Sequence, residues 1–305
     1  MAVKLKVKRP PAPRFTVENY RWPEESKLLR QALLQAGAGG AVVLLLLLAL
    51  PLRWTLAAAY LAWLAFVFLC YPRLAAGKHL AALRKRAASG PAQQDLAGML
   101  AKQAAALGTA PPSLLLDPQA QVPYLLRGCM VMPAGVRSYL ADAEVWAVLA
   151  GQLAHLQAGH GRLLGLVRCL GWEQSPLVRP VLLPLRALAL LLERWQGAAV
   201  LTADRLALLL TRDRRVVGSA VLKQEIKLTE GETIAPADIS DYLSSPGGLQ
   251  AEEAAVTAHY RIGEYLRARP WLLARLKELS SYSVSSDYRE ALTLLDRTAG
   301  HSDSG

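Results

Sequence analysis

The sequence predicts a mainly helical α+β domain with a small β-sheet, carried behind an N-terminal transmembrane helical hairpin. Three observations predict it. From Leu33 to Tyr71 the only charged residue is Arg53. Basic residues crowd both flanks of that stretch: Lys4, Lys6, Lys8, Arg9, Arg14, Arg21, Lys27 and Arg30 before it, and Arg73, Lys78, Arg84, Lys85 and Arg86 after it. Downstream, segments with helical spacing alternate with breakers, and only two short apolar runs, Ser113–Leu116 and Cys129–Met132, read as strands between Pro and Gly signals.

Residues 1–32 begin as a basic, Pro-rich tail (Arg9-Pro10-Pro11-Ala12-Pro13-Arg14) and end in a short lead-in helix from Glu24 to Gln35. Residues 33–72 hold two apolar runs, Ala36–Leu50 and Trp54–Tyr71, near the lower end of the ~17–25 residues that span a bilayer. Pro51 and Arg53 split them into a hairpin, and Gly37, Gly39 and Gly40 are expected to let its helices approach closely. Residues 73–92 form a juxtamembrane helix, Leu74–Ala88, broken at Ser89-Gly90-Pro91. The basic flanks place the N-terminus and the main domain on the cytoplasmic side of the cell membrane, multi-pass. The +11 net charge therefore speaks for topology and contact with an anionic lipid bilayer, not for nucleic acid, for which no aromatic-interleaved basic groove is present. Cys70, Cys129 and Cys169 have no paired spacing, which excludes a disulfide framework and a structural zinc site.

Residues 93–292 form the main domain and 293–305 a flexible tail. Gln93–Leu107 is an amphipathic helix, and Ala141–Leu156 is a second helix. Leu177–Trp195 is very apolar but contains Arg179, Pro180, Pro184 and Arg186, so it reads as a helix packed in the domain or on the membrane surface rather than as a third span. Leu201–Thr211 and Ser219–Leu228 continue as helices, Thr229–Pro236 and Ser244–Gly248 as loops, and Gln250–Arg267 with Trp271–Ser283 as a helical pair split at Pro270.

The chemistry concentrates in Gly151-Gln152-Leu153-Ala154-His155 on the Ala141–Leu156 helix. A zinc peptidase helix reads H-E-x-x-H, because residues four apart put two imidazoles on one face with the Glu beside the metal-bound water. Here the second His is His155, the first position is Gly151 and the Glu position is Gln152. Asp142-Ala143-Glu144-Val145-Trp146-Ala147-Val148-Leu149-Ala150 leads into that helix after the strand at Cys129–Met132. With the block Thr202-Ala203-Asp204-Arg205-Leu206-Ala207-Leu208-Leu209 and the block Arg269-Pro270-Trp271-Leu272-Leu273-Ala274-Arg275, it resembles the HtpX-like membrane zinc metallopeptidases from about Leu96 to Arg289.

The resemblance implies a zincin-like fold with a peptide cleft. Carried over residue by residue, it places the third zinc ligand at Val200, an orienting Asp at Asp204, and Arg269 where the family has a His before Pro. A catalytic zinc needs three protein ligands and an open position. Gly151 and Val200 cannot ligate and Gln152 cannot act as a base, which leaves His155 with Asp204 as weak metal candidates and no catalytic residues expected. His155 is expected to be a core histidine bonded to Asp204. His160, five residues on, points about 140° away unless the helix ends at Gly159, and with His79, His259 and His301 it reads as a surface residue.

The reading is a membrane-anchored pseudopeptidase that needs no cofactor and acts as a binding or scaffold subunit. Its partner is a protein or peptide in the inherited cleft, added by β-pairing to an edge strand near Cys129–Met132. Homo- or hetero-oligomerisation through the hairpin stays open. The alternative is an active zinc metalloendopeptidase with reassigned ligands.

Overall fold

Apolar sequence that cannot be hidden in a domain core forms the two longest helices of the chain. A computed structural model describes residues 15–172, 178–229 and 270–302. The lead-in segment and the first apolar run are one helix, α1 (Glu25–Leu48). The second apolar run and the juxtamembrane segment are likewise continuous: α2 (Arg53–Ala65), a π-helical turn (Phe66–Cys70) and α3 (Tyr71–Arg86). Both helices are long and apolar enough to cross a membrane. Exposed Leu45, Leu46, Trp54 and Leu61 give them a lipid-compatible surface. Of the three glycines expected at the helix contact, only Gly40 lies against the second helix, where an added Cβ would sit 3.8 Å from the Tyr60 hydroxyl. Gly37 and Gly39 meet nothing within 4 Å.

The hairpin is fastened to the domain at its far end. Arg86 on α3 forks onto Asp117, donating from Nε to Oδ1 at 2.9 Å and from the second nitrogen to Oδ2 at 2.8 Å. Asp117 closes strand β1 (Leu114–Asp117). The sheet adds β2 (Tyr124–Leu126) and β3 (Cys129–Pro133) in the order β1-β3-β2, with β1 parallel and β2 antiparallel to β3. The expected edge strand at Cys129–Met132 is therefore the centre of the sheet. The open edge is β2, a three-residue strand too short to announce itself by alternation.

Helix α4 (Pro91–Ala106) covers the sheet, and α5 (Asp142–Gln157) follows it. Glu144 starts α5 by accepting from the Ala141 N–H at 2.8 Å, and its other oxygen accepts from Ser219 and from Lys223. Then come α6 (Gly161–Trp172), α7 (Leu183–Leu191), α8 (Glu193–Thr211), α9 (Arg214–Thr229), α10 (Pro270–Val284) and α11 (Ser286–Ser302). The apolar Leu177–Trp195 segment thus contributes α7 and the start of α8. Nine residues are too few to span a bilayer. Instead Leu182 and Leu185 pack on Val67 of the π-turn, and the Trp63 indole N–H donates to the Val181 carbonyl at 3.0 Å. The expected loops at Thr229–Pro236 and Ser244–Gly248 and the helix at Gln250–Arg267 lie outside the described residues, apart from Thr229, which ends α9.

Two expected tails are structured where described. Phe15 and Tyr20 join the main core, and Tyr20 is 1% exposed, donating its hydroxyl to Gln157 at 3.0 Å. The segment expected to fray after Thr298 continues as helix to Ser302, and Thr298 Oγ1 accepts from the Phe15 N–H at 3.4 Å. A periodicity reading does not see that Phe15 and Thr298, near opposite ends of the sequence, meet. Replacing Tyr20 by Ala is expected to cost about 3–5 kcal/mol in denaturant unfolding of the detergent-solubilised chain. Tyr20→Phe, which loses only the bond to Gln157, is expected to cost about 1 kcal/mol. Equal, small losses for the two variants would mean that residues 15–24 do not dock.

Candidate functional site

Helices α5 and α8 lie against one another through small residues. Ala150, Ala154, Ala203 and Ala207 are all buried. A Cβ built on Gly151 would stand 3.8 Å from the Ala203 carbonyl oxygen. This close approach brings the sequence-picked positions together. Gly151, Gln152, His155, Val200 and Asp204 all line one cavity of about 560 Å³. Arg269 lies outside the described residues.

The partners of those residues differ from expectation. Asp204 does not bond His155. It receives a fork from Arg275 on α10, Nε to Oδ2 at 2.9 Å and a terminal nitrogen to Oδ1 at 2.8 Å. Burial opposes the charge on Arg275, but Asp204, helped by Glu225 at 3.7 Å, more than offsets this and holds the guanidinium above its usual pKa. Glu225 thus lies in the cavity wall.

His155 bonds His160 instead, Nδ1 to Nδ1 at 3.0 Å. The turn that permits this is the end of α5. Gly159 has φ +74°, the His160 N–H donates to the His155 carbonyl at 3.0 Å, and the Gly159 N–H to that of Leu156 at 3.2 Å. This is a Schellman closure, in which a left-handed glycine reverses the chain over the last helical turn. It folds His160, expected at the surface, into a 3% exposed position over His155.

Beyond His160 the chain of contacts continues into the apolar helix α1. His160 Nε2 donates to Glu25 Oε1 at 2.9 Å, since a carboxylate only accepts. Glu25 Oε2 accepts from the Thr202 hydroxyl, and Thr202 Oγ1 accepts from the Trp22 N–H at 3.0 Å. Arg21 Nε stands 3.5 Å from Glu25, near enough for charge but not aligned as a hydrogen bond. With both rings neutral, His155 donates from Nδ1 to His160, which leaves the His155 lone pair on Nε2. Sequence reading missed Glu25, Thr202 and Arg275 because no spacing rule links them. Only Gly159 signalled that His160 turns back.

The donor set is poor for a catalytic zinc. Gly151 and Val200 offer no ligand, both Asp204 oxygens are taken by Arg275, and one nitrogen of His155 is taken by His160. Among the described residues no group of three His, Cys, Asp or Glu side chains is placed to hold a metal ion.

Compared with known proteins, the chain is 31% identical over 220 residues to the plastoglobule-localized metallopeptidase 48, chloroplastic, of Arabidopsis thaliana, over 67% of this chain and 61% of that protein. The similarity supports a metallopeptidase-like family. The metallopeptidase-like chain spans less than two thirds of that relative's length. No family model matches it, and no solved structure does.

Burial drives the pKa of His155 down to about 3, with positive charge at His160, when that ring is protonated, and at Arg275 adding to the effect. The unfolded chain protonates this His near its ordinary value of about 6.5 while the folded chain does not. Its contribution is therefore fully present above about pH 6.5 and falls as pH drops toward the folded value, by at most about 1.4 kcal/mol per pH unit. Unfolding free energy measured from pH 7 to pH 5 is expected to fall less steeply in His155→Gln than in the native chain. An unchanged slope would place the titration elsewhere.

Proposed function

We propose that this chain is a membrane-anchored, catalytically inactive relative of the HtpX-like metallopeptidases that binds extended peptide segments as a scaffold subunit of a membrane complex. The observation that carries the reading is the cavity itself. Gly151, Gln152 and Val200 all line it, at the positions where the resemblance puts two ligands and the base. Gln152 cannot take a proton from water, so the general base of hydrolysis is missing together with the ligands.

Binding needs less than catalysis. The cavity wall includes Val122, Pro123, Tyr124 and Leu125 along the β2 edge, which has no strand partner on its outer side among the described residues. An extended peptide gains main-chain hydrogen bonds at such an edge and places alternate side chains into the adjoining cavity. The bilayer is the other partner, through the two apolar helices. The basic flanks favour the N-terminus and the domain on the cytoplasmic side of the cell membrane.

The second reading is an active zinc metalloendopeptidase with reassigned ligands, favoured by the similarity to a protein named as a metallopeptidase. Metal analysis, casein cleavage and peptide binding on the purified chain separate the two. We expect well under one zinc per chain, no chelator-sensitive cleavage, and saturable binding of unfolded peptides. About one zinc per chain, lost on His155→Ala together with cleavage, would overturn the inactive reading. Restoring the ligands tests the geometry from the other side. Gly151→His with Gln152→Glu and Val200→Glu is expected to raise zinc content toward one per chain, because Gly151 has room for a side chain. A folded triple variant without zinc would show that α5 and α8 are not in ligating register.

A further inference from the structure

Among the described residues, one cation lining the cavity is not neutralised by the acids that line it. Asp204 is committed to Arg275, and Glu225 stands 3.7 Å from the same guanidinium. Arg168, on α6, lines the same cavity and is half-buried. Among the described residues no carboxylate lies within ion-pair distance of it. Among the described residues its close partner is the Tyr124 ring, with the guanidinium carbon 4.4 Å from the ring centroid. Tyr124 in turn bonds His79 through its hydroxyl at 3.1 Å. Burial pulls the Arg168 guanidinium below its ordinary pKa, and only the Tyr124 hydroxyl pushes the other way.

A guanidinium held against an aromatic face keeps its plane and its outward N–H fork fixed, which suits two parallel bonds to a carboxylate. Its position supplies the rest. Tyr124 opens β2, the strand edge along which an added peptide would run. A carboxylate carried at that end of the peptide comes within reach of Arg168.

We propose that Arg168 makes the cleft selective for extended peptides that bring a carboxylate to the Tyr124 end of β2, an inference that rests on the peptide-binding function proposed above. The carboxylate comes either from the peptide's C-terminus or from an Asp or Glu side chain, and both present the same planar acceptor pair.

Fluorescence anisotropy on the full-length chain in detergent tests this with three unfolded peptides of one apolar sequence: free acid, C-terminal amide, and amide with a single Asp near its end. The free acid is expected to bind about tenfold tighter than the amide, as a charge-assisted pair in a partly buried site allows. Arg168→Gln should bring the acid down to the affinity of the amide without changing the amide itself, which also shows that the cleft remains folded. Arg168→Lys should retain part of the difference. The Asp-bearing amide binding like the acid supports a side-chain source, and binding like the plain amide supports a chain end. Equal binding of acid and amide to the native chain, or a preference that survives Arg168→Gln, overturns the proposal. So does a loss of binding to anionic lipid vesicles in Arg168→Gln with peptide affinities unmoved, which would assign Arg168 to lipid. If none of the peptides binds, it is the peptide reading of the cleft that fails, and the selectivity falls with it.

Discussion

Glu25 is a carboxylate on the first turn of the apolar helix α1, yet it is buried inside the domain at 3% exposure. Removing a carboxylate from water costs several kcal/mol unless its oxygens are bonded, so its neighbours are constrained by it. Each oxygen has a partner from a different element: His160 from the reversal after α5, and Thr202 from α8. Arg21, one turn earlier, adds opposite charge. The carboxylate therefore fixes the angle at which α1 leaves the domain, the closure of α5, and the face that α8 presents. His155 inherits its orientation from the same chain through His160.

That arrangement joins the two helices of the cavity directly. Here α5 and α8 are held by close packing of Ala150, Ala154, Ala203 and Ala207, by the Glu25–His160–His155 chain at one end, and by Glu144 with Lys223 and Ser219 near the other. Arg275 takes both oxygens of Asp204 and brings α10 onto the cavity wall. The buried carboxylates Glu25, Glu144 and Asp204 are each paired, so this part of the cavity wall does not have to collapse around unsatisfied acids.

The two long apolar helices and the domain are likewise one mechanical unit. The Arg86 fork onto Asp117 secures the end of α3 to the sheet, and Trp63 with Val67 secures the α2 side to the turn before α7. Movement of the hairpin in a membrane would therefore be felt at two walls of the cleft: at the sheet, through α3, and at α8, through α1 and Glu25.

The sequence by itself determined the apolar pair of helices, because a run from Leu33 to Tyr71 with Arg53 as its only charge has few other fates. It determined the helix carrying Gly151, Gln152 and His155, because that spacing is local and survives any packing. It also located two of the three strands. Only the tertiary structure decided that β2, with three residues, closes the sheet as its open edge and makes β3 central, since strand order depends on pairing across loops. Tertiary packing likewise decided the partners of Asp204, His155 and Glu225. An ion pair is set by which side chains a fold brings within about 3–4 Å, and Asp204 and Arg275 are separated by 71 residues and Glu25 and His160 by 135. Local periodicity reads what a segment must hide from water. It does not read what a buried charge will find when it is hidden.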